Sequence, residues 1–111
     1  MDEITIYDKR LTKEENHMLG TQVNEVLEIF ETEQEATDFI VEHRKIEREK
    51  VEHFWNEELK LYRAMLTYFD DEGKVKEKEE YIKENLMATI YIGNVSYCMF
   101  GTGRVARVNF Y

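Results

Sequence analysis

Residues 32–69 read TEQEATDFIVEHRKIEREKVEHFWNEELKLYRAMLTYF and contain neither Gly nor Pro. No other stretch limits the fold so tightly. Glu, Lys, Arg, Leu and Ala dominate it, and these residues lose little on entering a helix. Thr32 followed by Glu35 is a capping-box start. Apolar residues recur at helical spacing at Ala36, Phe39, Ile40, Ile46, Val51 and Phe54. Trp55, Leu59, Tyr62, Leu66 and Phe69 then follow at intervals of four, three, four and three, a seam suited to a packing partner. Unbroken, this helix would extend about 57 Å at 1.5 Å per residue. A domain of 111 residues has a radius of gyration of roughly 13 Å, or about 34 Å across as a sphere. The helix must therefore break near residues 42–50 or project onto a partner. In the second case Trp55, Leu59, Tyr62, Leu66 and Phe69 form the interface, and a homodimer is expected.

The rest of the chain is short elements. Residues 4–7, Ile-Thr-Ile-Tyr, read as a strand. Thr12 and Glu15 form a second capping box, and Gly20 ends the helix it starts. Residues 22–30 fit either a helical face or a strand. The strand is preferred because the run leads directly into the Thr32 cap. Asp70, Asp71, Glu72 and Gly73 end the long helical pattern with turn chemistry. Residues 74–85 read as a charged helix that packs back, or as a solvated connector.

From residue 86 the composition changes to MATIYI, Gly-Asn, VSYCMF, Gly-Thr-Gly and RVARVNFY. Gly93-Asn94 between apolar runs is a two-residue hairpin turn, and the second Gly-rich turn extends it to a three-stranded meander. Alternation places Ala88, Ile90 and Ile92, one face of residues 95–100, and Ala106, Val108 and Phe110 toward the core. The expectation is one α+β domain over residues 1–111: a long central helix packed on a small antiparallel sheet that ends in this meander.

Net charge is −9 and hydrophobic content 42%, so the chain folds and lacks the basic footprint of non-specific nucleic-acid binding. The charge is uneven, because residues 86–111 hold Arg104 and Arg107 and no Asp or Glu. A single cysteine, Cys98, allows no internal disulfide. No apolar run is long enough to cross a membrane, and the N-terminus lacks a signal-peptide core. These features read as a cytoplasmic protein without a membrane anchor.

Candidate sites are few. Gly101, Thr102 and Gly103 with Arg104 and Arg107 could cradle an anion or nucleotide, since glycine N–H groups and guanidinium forks both suit phosphate. The same motif also makes an ordinary turn. Glu49, His53 and Glu57 share a helix face, and Glu14 with His17 makes an E-x-x-H match. Without a second such motif these read as solvated charge rather than metal ligands. Cys98, between Tyr97 and Met99, reads as a buried structural thiol. No catalytic motif is present, and neither metal nor cofactor is called for.

In size, acidity, lack of proline and single cysteine, the chain resembles the small accessory proteins that phages direct at host enzymes. That resemblance rests on composition alone. The expected function is a non-enzymatic, self-associating interaction protein that binds and modulates a cellular protein, inhibition being one form of that modulation. The alternative is a binder of a small anionic ligand at the C-terminal Gly/Arg sheet.

Overall fold

The computed structural model describes residues 7–20 and 23–110. The elements are α1 (Lys13–Leu19), β1 (Val23–Phe30), α2 (Glu33–Arg44), α3 (Arg48–Asp71), α4 (Val75–Glu84), β2 (Leu86–Ile92), β3 (Val95–Phe100) and β4 (Val105–Phe110). The strands form an antiparallel sheet in the order β1-β4-β3-β2. The chain is α+β, as its sequence indicates. The strand expected at residues 4–7 falls mostly outside the described residues, and Tyr7 itself is irregular.

Local chemistry sets the element ends. Thr12 accepts the Glu15 N–H while the Glu15 carboxylate accepts the Thr12 N–H, a complete capping box, and Gly20 closes α1 at φ 72°. Thr32 accepts the Glu35 N–H, but the Glu35 carboxylate reaches back to the Glu31 N–H. The long helical pattern breaks inside residues 42–50. Lys45 adopts a left-handed conformation at φ 56° and caps α2, and α3 starts three residues later. The 24 residues of α3 span about 36 Å, short enough to stay on a chain with a radius of gyration of 14.7 Å.

The helices α2 and α3 cover one face of the sheet, α2 over β1 and α3 over β2. Ala36, Ile40, Val51, Trp55 and Leu59 pack there on Ala88, Ile90, Ile92, Val95, Tyr97, Met99 and Val105. Burying each large side chain stabilises the fold by about 1.5–3 kcal/mol. The opposite face is also covered: Leu11 and Leu19 pack on Val23, Val26, Cys98, Phe100, Ala106 and Val108.

The structure corrects the sequence expectation here. Ala106 and Val108 are buried on the face opposite Ala88, Ile90 and Ile92, and every residue of β3 is buried. The strand is sandwiched, so parity along β4 does not select one core face. The Phe110 side chain lies outside the described part.

α4 contacts both α3 and α1, which pack on opposite faces of the sheet. Its Tyr81 ring packs on Tyr62 and Phe69 of α3, and its Lys83 faces Glu14 of α1 at 3.5 Å.

Candidate functional site

The β3–β4 turn is held from several sides. Gly103 at φ 94° adopts a conformation that favours glycine. Its N–H donates to the Phe100 carbonyl at 2.9 Å, so the turn itself uses that donor. The Ile82 carbonyl of α4 sits where a Cβ on Gly101 would be. Arg104 bonds the buried Glu15 carboxylate at 2.5 Å and the Arg10 carbonyl at 3.0 Å, and its Nε lies 3.2 Å from Glu31. Thr102 is exposed.

Arg107 occupies the other side of the sheet. It donates to Glu28 at 2.8 Å and lies 4.9 Å over the Phe39 ring, which also stacks with the imidazole of His43. Its cross-strand neighbour is Tyr97. The Tyr97 hydroxyl is buried with no hydrogen-bond partner among the described residues. Burial pushes its pKa up, against the pull of Arg107 and Arg44. Arg104 and Arg107 thus do not converge, and each already faces a carboxylate.

The five seam residues divide. Trp55, Leu59 and Tyr62 are buried within the chain, and Trp55 Nε1 donates to Thr37 Oγ1 at 3.0 Å. Leu66 and Phe69 are half-buried. The large apolar residues exposed on the surface are others: Tyr7, Leu61 (73% exposed), Tyr68, Val75 and Tyr91 (72% exposed). A second spacing in the sequence carries part of this signal. Phe54, Leu61, Met65 and Tyr68 recur at intervals of seven, four and three, beside the stronger core seam.

The remaining polar candidates stay apart. His53 lies 3.9 Å from Glu57, whose carboxylate Lys60 takes at 2.9 Å. The hydrogen bond from Lys60 holds the Glu57 pKa below the usual carboxylate value. No cluster of three His, Cys, Asp or Glu suited to a metal occurs among the described residues. Burial pushes the Cys98 thiol up to about 11, against a smaller lowering by its hydrogen bond with Thr89, so the thiol is protonated at neutral pH. A cleft of about 330 Å³ between α2 and α3 is polar, with Glu33, Gln34, Arg48, Glu52, Asn56 and Arg63 around it.

The exposed surface of α3 carries both signs of charge: Lys50, Lys60 and Arg63 stand among its acids, and Glu52 lines the α2–α3 cleft with Arg48 and Arg63. Glu49, Glu52 and Asp71 are exposed, and none makes an ion pair with a described residue. No helix among the described residues is long and apolar enough to cross a membrane. No family model, curated protein or solved structure matches the chain.

Proposed function

We propose that the chain is a non-enzymatic interaction protein that associates with itself and docks an acidic surface on a basic region of a cellular protein, modulating that protein's activity. The observation that carries this reading is on α3, where Glu49, Glu52 and Asp71 are exposed and make no ion pair with a described residue. Carboxylates left unpaired on a rigid helix need no internal ion pair broken before they meet a cationic partner. They also steer it over a range set by the Debye length, about 8 Å at physiological ionic strength.

The test is affinity capture from the source cell with wild type and with Glu49→Lys/Glu52→Lys/Asp71→Lys, each checked for native circular dichroism. The expected result is a protein with a basic surface patch that wild type retains at low salt, that moderate salt releases, and that the charge-reversed variant does not retain. Recovery of the same proteins by both forms overturns the reading, as does recovery of none.

A further inference from the structure

The sheet has two edges, and they differ. The β1 edge is guarded. Two register irregularities interrupt it, between Val23 and Glu25 and between Val26 and Glu28. Arg10 donates to the outward Val26 carbonyl at 2.8 Å, and Glu25 and Glu28 add charge. Such features keep an edge from pairing with another chain.

The β2 edge has little of this. Its sequence, LMATIYI, carries no charge and no proline, and its one irregularity lies at the start, between Leu86 and Ala88. Residues 88–92 are regular. The β2–β3 turn is a two-residue loop with Gly93 at φ 67°. Ile92 and Val95 flank it and exchange main-chain bonds. Alternation then turns the N–H and C=O of Thr89 and Tyr91 outward. None of these groups pairs with a described residue.

An apolar helix flank lies on the same side. The α2 helix meets one flank of α3, through the Trp55–Thr37 hydrogen bond and the Arg48–Asp38 pair. Because α2 lies over β1 and α3 over β2, the flank turned away from α2 faces the open side of β2. On a helical wheel that flank carries Phe54, Leu61, Met65 and Tyr68, interrupted by Lys50 and Glu58.

We propose that β2 and this flank of α3 form a homodimer interface in which β2 pairs antiparallel with β2 of a second copy about a twofold axis at Ile90. Thr89 then lies opposite Tyr91 of the second copy, and Ile92 opposite its Ala88, which continues one sheet through both chains. This rests on the self-associating part of the function proposed above and assigns its surface.

Two observations select a second copy as the occupant. First, like-charged copies at net −9 repel over most of their surface, and the uncharged β2 edge is where that repulsion is least. Second, the pairing is complementary at its ends. The Arg44 guanidinium covers Gly93 at one end of β2, and Glu84 at the C-terminus of α4 precedes the other end. Antiparallel pairing brings each Arg44 toward the other copy's Glu84, and Arg44 has no ion-pair partner among the described residues.

Sedimentation equilibrium on the full chain tests the interface. Wild type is expected at twice the 13.4 kDa chain mass. Tyr91→Pro removes an outward N–H where an edge strand tolerates proline and is expected to yield a monomer. Tyr91→Lys, at an exposed side chain that leaves the core untouched, keeps the test decisive should the proline variant not fold. It is expected to weaken the dimer by about tenfold or more. A monomeric wild type at high micromolar concentration overturns the proposal and self-association with it, while capture of a basic partner remains a separate result. A wild-type dimer whose Kd is unchanged in Tyr91→Lys overturns the interface alone. A native mass spectrum in which the edge is filled by a different protein, lost with Tyr91→Lys, overturns the second copy as occupant.

Discussion

Glu15 joins the start of the chain to its last hairpin. It is 2% exposed, caps α1 through the Thr12 N–H at 2.8 Å and bonds Arg104 across 89 positions. Removing one member of a buried pair strands the other, at about 3–5 kcal/mol. The Arg104 side chain keeps a 20% exposure, which lets water soften the loss. Glu15→Ala is therefore expected to lower the unfolding free energy in urea by about 3 kcal/mol. Glu15→Gln, which keeps an acceptor for Thr12, is expected to lower it by less. Cys98 makes a second expectation at this scale. Burial raises its thiol pKa from 9.0 to about 11, so the folded state holds a proton that the unfolded state has lost. Its contribution is fully present below pH 9 and is lost as pH rises toward 11. Alkylation at pH 8 is expected to be slow in native protein and fast in urea. Rapid native reaction would show that the thiol is not buried.

Among the elements, the docking of α4 is the contact most exposed to a one-atom change. Gly101 leaves no room for a Cβ, because the Ile82 carbonyl occupies that place, and a backbone atom cannot swing aside as a side chain can. Gly101→Ala is expected to cost about 2–3 kcal/mol by forcing α4 off the turn. Gly103→Ala meets no atom and is expected to cost only the left-handed backbone, about 1–2 kcal/mol; urea unfolding of both variants ranks them. The elements were largely legible in the sequence. The Thr12 cap, Gly20, the start at Thr32, the strand Val23–Phe30 and the Gly93-Asn94 hairpin follow from local chemistry that acts within a few residues. The helix length bracketed a break near residues 42–50 as one of two outcomes, but nothing marked its residue, because Lys45 supplies the left-handed turn without the Gly or Asn that announces one. The second buried face was also hidden. It depends on Leu11 and Leu19 closing over a distant strand, and apolar residues at both parities of β3 read only as a strong strand. The candidate sites were less legible. The opposite parity of Arg104 and Arg107 already sets them on opposite faces of a strand, but only the fold shows that Glu15 and Glu28 hold them.

At the scale of the whole molecule, salt separates the two associations that the chain is proposed to make. The net charge of −9 repels a second copy at long range, while the β2 edge that would receive it is uncharged. Screening should therefore strengthen the dimer, since the repulsion lies between exposed charges and the attraction lies in main-chain bonds and apolar contact. The paired Arg44 and Glu84 work the other way, but exposed ion pairs contribute only about 0–1 kcal/mol. Docking of Glu49, Glu52 and Asp71 on a basic partner has the opposite sign, because there the exposed charges attract. Raising NaCl from low to physiological ionic strength, where the Debye length falls to about 8 Å, is expected to lower the dimer Kd and raise the partner Kd in the same preparation. Sedimentation equilibrium reads the first and surface-immobilised binding the second. A dimer that loosens with salt would mean that opposite charges, and not the β2 edge, hold the copies together. A partner that binds more tightly with salt would mean that its contact is apolar, which would move the docking surface from the acids of α3 to Leu61 and Tyr68.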